Sequence, residues 1–341
     1  MPSDHARPRK PSMQDVAQLA DVSVQTVSRV LNDKPNVSEQ TRERVQRAIQ
    51  ELDYHRNTAA VALVTQFSKV LGVVDCGMDR TGPYETIRAV HRAAHEAGYF
   101  VSFAHSPSLT AASVRSVLDS LLEQAVDGIV FVAPHYEALS VIHDLKVSVP
   151  TVVVAPSTRF PHHTVELDNQ ATARLAVDHL VSLSHRRLVH LAGPLDWVDA
   201  NVRMEAWYHR VQRASLPVLP TFVGDWTARS GYERGRQIMR EVAPTAIFAA
   251  NDQMALGVLR ALAVDGYRVP QDVSVIGFGD VDDAEFYSPP LTTIREDFDE
   301  VGRQSIAMLL DLVRGDERTS VLVEPELVVR RSTGPAPMPG A

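Results

Sequence analysis

The sequence predicts an α/β protein in which a small all-helical head precedes a body of two parallel-sheet lobes. Three observations predict this. The first sixty residues hold three short helical patterns. At Val70 the texture switches to alternating strand and helix. A second strand–helix series of the same kind begins near Gln170. The length of 341 residues suits two or three domains.

In the head, Ser12 is placed to cap a helix over 13–20, with Asp15 three residues on and Val16, Ala17, Leu19 and Ala20 as its apolar face. Asp21-Val22-Ser23 makes a tight connection, and Ser23 caps a second helix over 24–32. Ser38 caps a third over 39–52, with Val45, Ala48, Ile49 and Leu52 on one face. Residues 57–63 suggest a brief helix, too short to be stable alone.

In the body, strands are expected at 70–74, 100–104, 128–133 and 151–155, with helices at 84–97, 111–124 and 136–145 between them. The second series sets strands at 187–192, 221–223, 246–250 and 273–278 against helices at 170–183, 200–214, 228–242 and 252–265. A strand at 291–294 and a helix at 298–314 follow. Residues 320–330 read as extended and interrupted at Pro325, and 331–341, rich in Pro and Gly, read as a frayed tail. Ligands of such bodies bind beyond the carboxyl ends of the strands, between the lobes.

Charge and composition exclude several classes. The net charge is −8, yet residues 1–63 carry nine Lys/Arg against eight Asp/Glu, and the remainder twenty-five against thirty-four. An acidic body with a near-neutral head confines any DNA contact to the head. The single cysteine, Cys76, permits no internal disulfide and no cysteine-based zinc site, which fits a cytoplasmic protein. The polar, basic N-terminus lacks an apolar segment of the kind that exports a chain, and no run of apolar residues is long enough to span a membrane. Gly277-x-Gly279 lacks the third glycine of a dinucleotide loop, and neither a Gly-x-Ser-x-Gly elbow nor a phosphate-binding Gly-Lys-Ser/Thr occurs, so no enzyme and no cofactor is expected. His162-His163 is read as a pair of loop histidines rather than a metal site, because adjacent side chains diverge.

The spacing from Asp15 to Asn32 suits a helix-turn-helix, in which the second helix lies in the major groove and its N-terminal residues reach base edges. Those residues are Val24, Gln25, Thr26, Ser28 and Arg29. Gln can pair with adenine, Arg with guanine, and Val can meet a thymine methyl. Ser23, Asn32, Ser38 and Thr41 stand at helix ends, where they can hold phosphates. The spacing alone leaves open a three-helix bundle with no role on DNA.

The run Asp-Val-Ala-x-x-Ala-x-Val-Ser-x-x-Thr-Val-Ser-Arg-Val-Leu-Asn over 15–32, with Val37-Ser38, Thr41-Arg42 and Tyr54 after it, closely resembles the DNA-binding head of the LacI/GalR family of bacterial repressors. The resemblance extends over 13–333, through Asp168-Asn169, Ala192-Gly193-Pro194-Leu195, Gly224-Asp225-Trp226, Ala250-Asn251-Asp252 and Pro289-Pro290-Leu291-Thr292-Thr293-Ile294. It points to the lac-repressor-like branch. It implies a flexible tail (1–12), a helix-turn-helix domain (13–56), a hinge helix and linker (57–66) and a two-lobed, periplasmic-binding-protein-like (type I) body (67–333). Within the body it implies a first lobe of about 67–165 and 295–324 and a second of about 166–294 and 325–333, with 334–341 disordered. In the implied hinge, Asn57 and Ala60 face DNA and Leu63 wedges into the minor groove of a near-palindromic operator gripped by a homodimer. Leu63 could instead be a residue that packs the linker.

The resemblance also implies an effector cleft holding Arg80, Tyr84, Arg203, Trp226, Asn251, Gly279 and Glu296. The effector would be a mono- or disaccharide such as a β-galactoside or β-glucoside. Arg203 would fork to sugar hydroxyls, Asn251 would offer donor and acceptor, and Trp226 would stack on a pyranose, with a core aromatic as the lesser alternative for Trp226. Several positions depart from the family pattern. Arg56 stands where Pro is usual, and the hinge run Ala60-Val61-Ala62-Leu63 lacks an arginine. Gly279 replaces a ligand-facing Asp, Glu296 a Gln, and Ala155 the Asp of some sugar-responsive relatives. The expected mechanism is linkage: ligand moves the lobes, the hinges part and DNA is released. The alternative is a sugar-binding protein whose head makes protein contacts.

Overall fold

A computed structural model describes residues 11–55, 67–76, 80–156 and 163–338. The chain divides into two units, Met1–Ser68 and Lys69–Ala341. The expected N-terminal tail, save its last two residues, and the hinge with Arg56, Asn57, Ala60 and Leu63 lie outside the described residues.

The head is three helices, α1 (Met13–Leu19), α2 (Val24–Leu31) and α3 (Glu39–Glu51). Each begins at the serine expected to cap it. Ser12 accepts from the Asp15 amide while the Asp15 carboxylate takes the Ser12 amide at 2.6 Å, a reciprocal capping box. Ser23 accepts from the Thr26 amide at 3.1 Å and Ser38 from that of Thr41 at 3.3 Å. Asp21 forms the turn between α1 and α2 in the left-handed region at φ 50°, which short polar side chains tolerate. Val16, Ala17, Val27, Val30, Val45, Ala48 and Tyr54 make the buried core.

The body contains two six-stranded sheets. The first has β1 (Val70–Asp75), β2 (Phe100–His105), β3 (Gly128–Val132), β4 (Thr151–Val154), β5 (Thr164–Leu167) and β11 (Val321–Val323), in the order β11-β5-β4-β3-β1-β2. The second has β6 (Leu188–Ala192), β7 (Phe222–Val223), β8 (Ala246–Ala249), β9 (Ser274–Gly279), β10 (Thr292–Arg295) and β12 (Glu326–Val328), in the matching order β12-β10-β9-β8-β6-β7. All pairings are parallel except β10 with β12. In the first lobe the helices are α4 (Thr81–Glu96), α5 (Ala111–Glu123), α6 (Tyr136–Asp144) and α11 (Phe298–Arg314). In the second they are α7 (Asn169–Ser182), α8 (Val198–Arg213), α9 (Ala228–Glu241) and α10 (Asp252–Val264).

The chain crosses between lobes three times: after Leu167, after Arg295, and at Glu324-Pro325 between β11 and β12. Pro325 ends one pairing and lets the chain join the other sheet. The Asp168 amide bonds Val323 O at 3.0 Å, tying the first crossover to the third.

Three expectations need correction. β5 was not anticipated; it is four residues whose pattern is carried by pairing with β4 and β11. Helix α4 begins at Thr81, a turn before the expected Tyr84, because Pro83 fits a first helical turn. The frayed, disordered tail is corrected at its start. Ser332 is fully buried, accepting from the Thr292 amide at 2.7 Å and donating to Val275 O at 2.6 Å. Gly334 donates to Ser274 Oγ at 3.1 Å and accepts from His185 Nε2 at 3.0 Å, and the Ala336 amide bonds Leu183 O. Proline and glycine do not free a segment whose backbone is tied down at Arg331, Ser332, Gly334 and Ala336.

Candidate functional site

Two surfaces can carry function. On the head, Ser23, Val24, Gln25 and Arg29 of the second helix and its cap are exposed, and Thr26 and Ser28 are partly so. Val27 and Val30 of the same helix are buried, so the polar N-terminal face of α2 is held outward by its apolar one. Asn32 ends the helix, its Nδ2 donating to Ser28 O at 2.7 Å. The exposed Ser38 and half-buried Thr41 pair their hydroxyls at 2.8 Å. Arg42 pairs with Asp33 at 2.8 Å and holds the loop between α2 and α3.

On the body, a cavity of about 870 Å³ opens between the lobes, at the carboxyl ends of the strands. Arg80, Arg203, Trp226, Asn251, Gly279 and Glu296 all line it. Tyr84 does not: it is 52% exposed on the first turn of α4 and lies outside the lining, which corrects its expected place in the cleft. Among the described residues no cluster of His, Cys, Asp and Glu could hold a metal; His162 lies outside them and His163 bonds Arg318 O at 3.0 Å. Cys76 is buried, with its thiol pushed up to about 12.

Arg203, on α8, is only 3% exposed. Its guanidinium lies over the Phe278 ring at 3.5 Å, Nη1 donates to Ala250 O at 3.2 Å, and Nη2 stands 3.7 Å from Glu296 Oε1. Asp199, one turn earlier on the same face of α8, takes a hydrogen bond from Asn169 Nδ2 at 3.2 Å. Burial pushes the Glu296 carboxyl up to about 8, although Arg203 pulls it back, and raises Asp199 for the same reason. Beneath the wall, His190, Trp207 and Phe248 stack on one another in a cluster, and burial pushes His190 down to about 3. Buried Asp252, raised to about 6, accepts from Thr293 Oγ1 at 2.6 Å and from the Val281 amide at 2.9 Å.

Trp226 takes φ 71°, a conformation that costs energy in a non-glycine residue and concentrates at ligand sites. Its ring meets Trp197 edge-on at 5.5 Å, and Trp197 meets His135 of the other lobe at 4.6 Å. Asn251 lines the cavity, but its carboxamide is already engaged. Oδ1 caps α10 through the Met254 amide and Nδ2 donates to Trp226 O, each at 2.9 Å. It positions Trp226 as much as it faces the opening. Gly279 sits at φ 122°, where a side chain is strained, so the missing carboxylate cannot simply be restored there.

Asp199 and Trp197 also line the cavity and were missed in the sequence. The four-residue spacing of Asp199 and Arg203 was a signal for the first. Nothing local marked Trp197.

A helix-turn-helix head with an exposed reading face, joined in one chain to a two-lobed body with a polar cleft, defines a ligand-responsive DNA-binding regulator. Residues 12–57 match the family described as bacterial regulatory proteins, lacI family, and residues 177–333 match the periplasmic binding protein-like domain. The chain is 35% identical to the lactose operon repressor of Escherichia coli over 96% of its own length and 91% of that protein's. It is 31% identical to the transcriptional repressor PurR of Pasteurella multocida, over 94% and 98%. Among solved structures, the lac repressor dimer bound to operator and the anti-inducer ONPF superposes with a TM-score of 0.86 at 34% identity, over 96% of this chain and 100% of that one. The transcriptional regulator CelR in complex with cellobiose gives 0.70 at 30%, over 94% and 99%. The chain belongs to the LacI family: it is a DNA-binding transcriptional repressor with a ligand-binding body, not an enzyme. None of its described helices is long and apolar enough to cross a membrane.

Proposed function

We propose that this repressor works in the cytoplasm as a homodimer on a near-palindromic operator, and that an uncharged saccharide in the body's cleft releases it. The observation that carries the ligand reading is the buried Arg203, fixed over Phe278 beside Glu296 and facing the same cavity as Trp226. A planar donor fork next to an aromatic face matches a pyranose, which offers hydroxyls at its edge and C–H groups on its face. The CelR complex with cellobiose supports a disaccharide of glucoside or galactoside type.

On DNA, Gln25 and Arg29 read base edges and Val24 meets a thymine methyl. Thr26 and Ser28 support them, and Ser23, Asn32, Ser38 and Thr41 hold phosphates. In the hinge, Asn57 and Ala60 flank Leu63, which enters the central minor groove. Arg80, Asn251, Gly279 and Glu296 complete the effector site. A second copy would cover Phe100 and Phe286, 69% and 78% exposed on the body. Gel shift against the duplex upstream of the chain's own coding sequence, with lactose and cellobiose added in turn, tests the reading. A specific shift that one of them reverses is expected; a shift on no duplex, or one indifferent to every saccharide, refutes it.

A further inference from the structure

We propose that His135 couples the effector cleft to the first lobe: the state of the cleft reaches His135 through Trp197, and passes from there to the lobe that bears the DNA-binding head. The proposal rests on the reading of this cleft as the effector site. Arg203, Trp226, Asn251 and Gly279 line the cavity from the second lobe, whereas the head joins the chain ahead of β1, in the first. Within one chain, a ligand held by those residues acts on the head only through contacts that the second lobe makes with the first.

Beyond the three crossovers, the lobes meet in a buried joint at the start of α8. The Val198 amide donates to Pro134 O at 2.8 Å and the Tyr136 amide to Asp196 O at 3.4 Å, so that His135 and Trp197 oppose each other as an isolated antiparallel bridge. Val198 is 2% exposed and packs in the core of the first lobe with Val74, Ala133 and Leu139. Side chains carry the joint on into the cavity. The buried Trp197 ring meets His135 edge-on from one side and Trp226 from another. A ring packed in this way has little room to absorb a push, so a movement of Trp226 passes to His135. Asp199 and Arg203 follow on α8, which ties the polar wall of the cavity to the same joint. Elsewhere Gln253 of the second lobe donates to Thr81 Oγ1 of the first at 3.1 Å, but that bond is exposed and water replaces it at small net cost. His135 itself does not line the cavity, so it can be altered without removing a ligand contact.

The test uses the full chain, its upstream duplex, lactose and cellobiose, in the wild type, in His135→Ala and in His135→Phe. Phenylalanine keeps a ring against Trp197 but gives up the approach of His135 Nδ1 to Asp196 Oδ2, 3.7 Å away. His135→Ala is expected to bind duplex alone and saccharide alone as the wild type does. The factor by which saccharide weakens duplex binding is expected to fall at least about threefold in His135→Ala and to persist in His135→Phe. A second readout needs no saccharide. All three tryptophans lie in the body, and two of them, Trp197 and Trp226, line the cavity, so emission that changes when duplex is added reports a signal arriving from the head. That change is expected in the wild type and in His135→Phe, and is expected to be lost in His135→Ala while duplex anisotropy titrates as before. Three results overturn the proposal: wild-type emission indifferent to duplex, a His135→Ala chain that keeps both the emission change and the saccharide factor, or a His135→Phe chain that behaves as His135→Ala does. If His135→Ala fails to melt cooperatively, His135→Leu, which fills the space without a ring, carries the comparison. An emission change lost in His135→Ala while no saccharide binds the wild type upholds the coupling and overturns the saccharide reading. Saccharide that releases duplex equally from the wild type and His135→Ala does the reverse.

Discussion

The Trp226 indole lies directly over Gly193: a Cβ added at Gly193 would come within 2.1 Å of the ring. Gly193 follows β6, and Trp226 follows β7 on the neighbouring edge of the same sheet. The absence of a side chain at 193 is therefore what lets the indole rest against the cavity wall. Gly193→Ala is expected to push Trp226 from its place and cost about 1–3 kcal/mol of stability through overpacking. Ligand-induced change in tryptophan emission should shrink with it, while operator binding persists. Calorimetric melting and a saccharide titration check both.

On the head, Gln25 is exposed near the start of α2, whose opposite face is buried. Gln25→Ala is expected to relax base preference at one operator position in each half-site, at a cost of about 1–3 kcal/mol on the preferred duplex. Competition between operator variants measures this. Equal weakening on every sequence would assign Gln25 to the backbone instead.

Glu296 links the cleft to pH. Its folded value of about 8 lies above its ordinary 4.5, so the folded chain holds a proton that the unfolded chain gives up. The stability contributed by that proton is full below the unfolded value and is lost as pH rises to about 8. Relative to Glu296→Gln, the wild-type thermal midpoint is expected to fall between about pH 5 and 8. Parallel midpoints over that window would show the carboxyl ionised throughout.

The C-terminal segment holds the second lobe together. Truncation after Arg331 removes the two bonds of Ser332 and those joining Gly334 to Ser274 and His185. At about 0.5–1.5 kcal/mol each, the loss is expected to reach about 2–5 kcal/mol in chemical denaturation. Burial lowers the pKa of His185, so its contribution is present above the unfolded value of 6.5 and fades as pH falls below it.

Much of this was legible in the sequence because local chemistry carried it. The capping serines Ser12, Ser23 and Ser38 each sit where a helix begins, and the change of period at Val70 marks the first strand. Arg203 and Trp226 are implied by the family resemblance rather than by local chemistry, and both line the cavity. What escaped depends on contacts distant in sequence. β5 is defined by β4 and β11, and Ser332 by strands about forty and sixty residues earlier. Tyr84 lies within the first turn of its helix and points to solvent, an orientation that its position just after the first strand did not reveal. Asn251 was read as a free recognition group because its cap on α10 and its bond to Trp226 were not visible locally.

The most direct measurement is reciprocal titration of the full chain with its upstream duplex and a saccharide, following tryptophan emission and duplex anisotropy together. The account predicts specific duplex binding that the saccharide weakens by about 5–150-fold, with the duplex weakening the saccharide by the same factor. Binding that prefers no duplex over random competitor, or duplex and saccharide affinities that ignore each other, would contradict it.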